Sequence, residues 1–132
     1  MSAIRSISLR QVLLADAATS AACALLMLAA AGPLEGLLGL PAGLLRAAGA
    51  ILVPFAAFVG VLALRESQPA PAVWVVVAAN AVWVVDSVLL LLSGWVHPTP
   101  LGTAFVIAQA LAVAIFAELQ FIGVRRSSAA AA

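Results

Sequence analysis

The chain has 132 residues and a mass of 13.3 kDa, with 66% apolar residues, 8% charged residues and a mean hydropathy of +1.24. Soluble domains contain about 45–50% apolar and about 25% charged residues, so this composition excludes a soluble globular protein. The net charge of +1 provides no basic surface for nucleic acid. One cysteine and one histidine exclude an intrachain disulfide and a Cys/His metal cluster, and we expect neither a metal nor another cofactor.

Stretches without charged residues are long enough to predict four membrane-spanning helices in an all-α bundle. Their expected bounds are about 10–31, 43–64, 72–95 and 102–124. Because these helices use most of the chain, we expect residues 1–132 to form a single transmembrane domain in contact with the lipid bilayer.

The first predicted helix carries an acid, Asp16, within its apolar stretch. At 100° per residue, four other side chains share its face, which is about 100° wide: Thr19, Ser20, Cys23 and Met27. Because an ionisable group is unfavourable in hydrocarbon, this face must point into the bundle. We expect Gly32-Pro33 to end the helix and residues 36–41 to form a short apolar connection in the membrane interface.

The second predicted helix has no polar side chain between Arg46 and Arg65. Ala56 and Gly60 form a small-residue pair that allows close approach of another helix. Pro54 lies near the middle of the span and frees a backbone carbonyl, which predicts a kink. Residues 65–71 are expected to form a solvated turn.

The third predicted helix has a polar stripe with an indole in its middle. The stripe covers an arc of about 120° and contains Asn80, Trp83, Asp86 and Ser87. We expect it to face the polar stripe of the first helix. Trp74 and Trp95 bracket this helix about 31 Å apart, close to the hydrocarbon thickness, and are expected to anchor it at the two interfaces.

The fourth predicted helix follows a break rich in proline and glycine at residues 94–102. Gln109 and Gln120 lie on one face of it, whereas Glu118 lies about 180° from Gln109. Glu118 therefore faces other neighbours, and it reaches either the aqueous boundary or a second protomer. The tail at residues 125–132 is expected to fray.

Counting from the helix ends predicts two polar layers. We expect Asp16, Asn80 and Glu118 at about the cytoplasmic third of the membrane, and Asp86 and Gln109 near its midplane. These five residues and Trp83 form the candidate intramembrane site. Its polar groups either form a pocket in which Asp16 and Asp86 exchange protons, or act as packing contacts worth about 0.6 kcal/mol each. No serine has a histidine or lysine as a base, so we expect no catalytic residue and no enzyme activity.

The arginine distribution predicts the orientation. Five arginines fall on one side of the four-helix arrangement: Arg5, Arg10, Arg65, Arg125 and Arg126. Arg46 falls on the other side. Since positively charged flanks stay in the cytoplasm, both termini are expected to be cytoplasmic. The use of arginine without lysine in an alanine-rich chain is typical of a GC-rich bacterial genome, which favours a bacterial inner membrane.

The two halves of the chain show a weak internal similarity. Ala15-Asp16-Ala17 followed by residues 24–28 aligns with Ala79-Asn80-Ala81 followed by residues 88–92, at a constant offset of 64 positions. Either this is a chance match among alanine and leucine, or a two-helix hairpin is duplicated. A duplication would relate the halves by a pseudo-twofold axis along the membrane normal.

Four segments carry a resemblance to the small four-helix integral membrane proteins of bacteria: Leu38 to Pro41, Arg46 to Pro54, Asn80 to Trp83, and Pro98 to Phe105. The resemblance implies a four-helix fold and a location in a bacterial membrane, but it implies no particular activity. The small multidrug resistance exporters are comparable in size and number of spans, and they have a membrane-embedded acid in the first helix. That acid is glutamate where this chain has Asp16, and Asp86, Glu118 and the absence of tyrosine depart from their pattern.

These features of the sequence predict two alternative functions, which belong to different classes. The first is a structural or accessory membrane protein that packs against itself or a larger membrane complex through small-residue faces. The second is a proton-coupled carrier of a small apolar or cationic compound that uses Asp16 and Asp86 as its protonation site.

Overall fold

The structure, a computed structural model, describes the backbone of residues 8–131 and the side chains of residues 8–126. Within residues 8–131 it contains five helices in chain order: α1 (Leu9–Ala29), α2 (Ala31–Leu38), α3 (Ala42–Leu64), α4 (Ala70–Ser93) and α5 (Pro100–Ala131). Over the described backbone there is no strand. Helices α1, α3, α4 and the part of α5 up to Arg126 are long and apolar enough to cross a membrane. The predicted bundle of four spanning helices is confirmed, and the chain is a multi-pass membrane protein.

The connection after α1 is a helix instead of the irregular segment expected from the sequence. Helix α1 ends at Ala29, and α2 begins at Ala31. Pro33 lies in the first turn of α2, where its missing N–H would have no helical partner in any case. Gly39 ends α2 with φ of 69°, a backbone conformation that suits glycine, and its N–H donates to the Glu35 carbonyl at 2.9 Å.

Helix α5 extends beyond its expected end at residue 124. It continues as far as Ala131, with no proline or glycine after Gly123 to interrupt it. The segment is rich in alanine, which has the highest helix propensity, so a break or fray at residue 124 has no local cause.

The helices pack as two hairpins. Helix α1 packs along α3, and α4 packs along α5. The hairpins meet where α1 contacts α5, whereas α3 and α4 have no comparable interface. The bundle is therefore closely packed where α1 meets α5, whereas the backbones of α3 and α4 lie farther apart and meet through side chains at one end.

Both ends of the bundle are closed. At the end where Arg10 donates to the Arg65 carbonyl at 2.7 Å, here called the arginine end, buried apolar side chains from all four spans form one cluster. It consists of Leu13, Val59, Leu62, Ala63, Val73, Val76 and Val124. At the opposite end a second cluster includes Met27, Leu38 and Val106.

Thr99 ties α2 to the beginning of α5 at this opposite end. Its hydroxyl donates to the Leu37 carbonyl at 2.7 Å and accepts from the Gly102 N–H at 3.0 Å, which caps α5. Its own N–H donates to the Leu38 carbonyl at 3.0 Å. A side chain at position 102 would collide with this same carbonyl, so α2 lies directly on the first turn of α5.

Candidate intramembrane site

Asp16 is the centre of a buried hydrogen-bond network that joins three helices. Its Oδ2 accepts from Asn80 Nδ2 at 2.9 Å and from Gln120 Nε2 at 2.7 Å, and its Oδ1 accepts from the Ser20 hydroxyl at 3.2 Å. Asn80 Nδ2 also donates to Gln120 Oε1 at 2.9 Å. Asp16, Asn80 and Gln120 are at most 3% exposed. We call these three residues and Ser20 the Asp16 network.

The Asp16 network satisfies its polar groups internally. Among the described side chains, no buried nitrogen or oxygen lacks a hydrogen-bond partner. Because an unpaired polar group costs several kcal/mol in an apolar environment, this pairing is what allows an acid and two amides to lie between apolar helices. The network therefore fixes α1 against α4 and α5 at one depth.

The contact between Asp16 and Asn80 bears on the internal similarity of the halves. These residues occupy equivalent positions at the offset of 64, and they are hydrogen-bonded to each other. The last residues of α1 and α4, Ala29 and Ser93, are separated by the same offset. A residue close to a twofold axis meets its own symmetry equivalent, so this contact has the geometry that a duplicated hairpin requires.

A second polar cluster joins α4 to α5 within the second hairpin. The Trp83 indole N–H donates to Gln109 Oε1 at 2.7 Å, and Gln109 Nε2 donates to the Ser87 hydroxyl at 3.0 Å. The Ser87 hydroxyl in turn donates to the Trp83 carbonyl at 2.8 Å. These bonds hold the indole in one orientation on the inner side of the bundle.

A cavity of about 450 Å³ lies between the two hairpins. All four spans contribute to its wall, which is mostly apolar. Four aromatic side chains line it: Phe55, Trp83, Phe105 and Phe116. Three members of the Asp16 network form part of the wall, and so do Gln109 and Asp86: Asp16, Ser20 and Asn80. Its volume falls within the range of about 300–1,000 Å³ that is typical of small-molecule sites.

Asp86 differs from Asp16 although both line the cavity. Its side chain is not covered by other residues, and it has no hydrogen bond or ion pair within residues 8–126. No arginine or lysine occurs in the sequence between Arg65 and Arg125. The cavity thus contains one carboxyl group that is fully engaged and one that is free to meet a ligand.

The structure brings most of the sequence-predicted site residues to the cavity and leaves one outside it. Asp16 and Asn80 contact each other, Trp83 and Gln109 contact each other, and Asp86 lies on the same wall. Glu118 is exposed and does not line the cavity. It lies two residues before Gln120 on α5, and so near the depth of Asp16 and Asn80, but its side chain is outside the cavity that they line.

Gln120, which the sequence did not place in the candidate site, completes the Asp16 network from α5. It is fully buried and bonds both Asp16 and Asn80. The sequence feature that points to Gln120 is its position three helical turns after Gln109, on the same face of the last helix.

Comparisons with known proteins identify no relative. No protein family matches the chain, and no curated protein or solved structure matches it.

Proposed function

We propose that this protein is a carrier of a small, largely apolar compound in the bacterial inner membrane, with both termini in the cytoplasm. The observation that supports this proposal is the cavity between the hairpins. It combines apolar and aromatic walls with a few polar groups, Gln109 and Asp86 among them, which is the usual composition of a small-molecule site. The orientation and the location rest on the arginine distribution and on the composition of the chain.

Asp86 provides the means of coupling to protons. A carboxyl group at the cavity wall binds either a proton or a cationic ligand, so arrival of one accompanies release of the other. Asp16 is less suited to this exchange, because three side-chain donors already occupy its oxygens. We therefore assign the coupling to Asp86 and the joining of the helices to Asp16.

Filling the cavity tests the proposal. Ala112 is half-buried in the cavity wall, and Ala108, one turn away on α5, is exposed and outside it. We expect the wild-type protein, released from nanodiscs of its native membrane into a mass spectrometer, to retain a small molecule. The Ala112→Phe variant should lose that molecule and the Ala108→Phe variant should keep it, while circular dichroism confirms that both remain helical.

Two results would contradict this proposal: a wild-type protein that retains no small molecule, or equal retention by Ala112→Phe. Carriage itself is measured in proteoliposomes that contain a pH-sensitive dye. Addition of the retained compound should change the internal pH with the wild-type protein and not with Asp86→Asn.

A structural or accessory function is the second candidate. It is favoured by an alanine-rich groove on the outside of the bundle between α1 and α3, where Ala18, Ala21 and Ala57 are exposed. Small residues of this kind allow the close approach of another membrane helix, from a second copy or from a larger complex. The same mass spectra test it, because they would show a dimer or a retained protein instead of a small molecule.

A further inference from the structure

The way into the cavity is lateral. At the arginine end, the apolar cluster around Leu13 and Val73 closes the bundle, with the Asp16 network next to it. At the opposite end, α2 and Thr99 close it. Beyond the apolar cluster at the arginine end, α3 and α4 are the neighbours that lack a close interface, and exposed side chains from both, Ile51 and Val82, line the cavity.

A lateral opening selects ligands that dissolve in the membrane. A gap between two spanning helices faces hydrocarbon, so a ligand that enters through it must first partition into the bilayer. The apolar wall of the cavity provides the matching environment for such a molecule. This excludes small, strongly hydrated solutes as the main ligands.

The charged side chains of the cavity wall determine which membrane-soluble compounds bind most tightly. Asp86 is the one charged side chain of the cavity without a partner in the described part of the chain, and no basic side chain lines the cavity there. An anionic ligand would meet two carboxyl groups and no cationic side chain, and a neutral one would leave Asp86 without a charged partner. A cation gains both the carboxylate of Asp86 and the aromatic groups around Trp83.

We propose that the ligand is a lipophilic organic cation, such as a protonated amine on an aromatic or alkyl body, which enters from the bilayer between α3 and α4 and binds between Asp86 and the aromatic wall. This inference rests on the proposed function, and it adds the chemical class of the ligand. The cavity of about 450 Å³ accommodates an amine with one or two aromatic rings.

Three probes with the same body and different head groups test the class: 4-phenylbutylammonium, 4-phenylbutanol and 4-phenylbutanoate. Each is titrated into the full-length protein in phosphatidylcholine nanodiscs, with empty nanodiscs as the partition control. Trp83 fluorescence reports on the cavity once Trp74 and Trp95, which are 40% and 85% exposed, are replaced by phenylalanine. Glu118→Gln is the matched control for Asp86→Asn, because Glu118 is an exposed acid outside the cavity.

We expect the ammonium probe to bind at least about tenfold more tightly than the alcohol, the range of a hydrogen bond to a charged group, and the carboxylate to bind most weakly. Asp86→Asn should remove the preference for the ammonium probe, and Glu118→Gln should keep it. If the alcohol binds saturably and as tightly as the ammonium probe, the cavity does not select cations. The proposed class of ligand is then wrong, and the proposed carrier function is not contradicted. If no probe binds in a saturable way and no small molecule is retained in the mass spectra, both proposals are wrong.

Discussion

Asp16 and Asp86 line the same cavity, but their neighbouring side chains give the two carboxyl groups different roles. Asp16 accepts hydrogen bonds from Ser20, Asn80 and Gln120. Asp86 has no such partners within residues 8–126 and lies at the exposed edge of the same cavity. A carboxyl group with satisfied oxygens stabilises packing, whereas an unsatisfied one at a cavity wall is available to a ligand.

The Asp16 network predicts different results for two substitutions at one position. In Asp16→Asn, the side-chain oxygen can still accept from Asn80 and Gln120, and the new amide can donate to the Ser20 hydroxyl. We expect its free energy of unfolding to stay within about 0.5 kcal/mol of wild type. Asp16→Leu leaves the buried Gln120 Nε2 without its acceptor and Asn80 Nδ2 with one acceptor of two, and should cost about 1–3 kcal/mol.

Unfolding in mixed micelles with increasing dodecyl sulfate, followed by circular dichroism, measures both variants. Glu118→Gln is the control, and its stability should not change, because Glu118 is exposed and has no partner among the described residues. Equal destabilisation by Asp16→Asn and Asp16→Leu would show that the charge of Asp16, and not its hydrogen bonding, holds the helices together.

At the scale of the elements, the short helix α2 determines how one end of the bundle is closed. It is fixed by the side chain and the backbone of Thr99, and it lies against Gly102 in the first turn of α5. The close approach requires a residue without Cβ at position 102. Closure of this end of the bundle thus depends on direct contact between the backbones of α2 and α5. The apolar side chains nearby do not by themselves require that contact.

Gly102→Ala is expected to open this end. The new methyl group would collide with the Leu38 carbonyl, and backbone atoms on both sides leave little room to adjust. We expect a loss of about 1–3 kcal/mol in the free energy of unfolding, as for other overpacked sites. Thermal unfolding followed by circular dichroism measures it.

Gly43→Ala is the matched control, since Gly43 lies in the first turn of α3 and a Cβ there would have nothing within 4 Å. It should be neutral or slightly stabilising, because alanine favours a helix by up to about 1 kcal/mol over glycine. If the two variants have the same stability, α2 is not seated against α5 as described.

At the scale of the whole molecule, the two hairpins are joined mainly through α1 and α5. If the offset of 64 reflects a duplicated hairpin, α1 corresponds to α4 and α3 to α5, and the α1–α5 interface would have an equivalent between α4 and α3. The structure brings α1 and α5 close together and keeps α3 and α4 farther apart. The separation of α3 and α4 is therefore the point at which the bundle departs from the arrangement that a duplication would give.

Two separate hairpins should reassemble. The chain is divided at the exposed turn after α3, and residues 1–66 and 67–132 are expressed together as separate polypeptides. The Asp16 network and the α1–α5 interface connect the two hairpins, so both can still hold them together. We expect an affinity tag on one hairpin to recover the other from detergent extracts. Gln120→Leu should reduce that recovery by about threefold or more, because it breaks hydrogen bonds between the hairpins.

Leu111→Ala serves as the control for the separated hairpins, since Leu111 is 61% exposed on α5 and outside the network. It should leave recovery unchanged. Recovery that is insensitive to Gln120→Leu would mean that apolar contacts alone join the halves.

The sequence by itself determined the number of spanning helices, their approximate bounds and the polar faces that turn inward. Hydrophobic length and periodicity act within one segment, so Asp16, Asn80 and Gln109 could be assigned to inner faces without knowledge of the other helices. The offset between the halves even placed Asp16 and Asn80 in equivalent positions, and they contact each other.

Only the tertiary structure decided which inner faces meet. The burial of Gln120, the exposure of Glu118 and the seating of α2 on Gly102 each depend on how one helix is rotated and placed against another. The same holds for the separation of α3 and α4, which follows from the packing of α1 on α5 and not from any pattern within α3 or α4. Local sequence patterns carry no information on such pairings, because they arise from packing between segments that are distant in the chain.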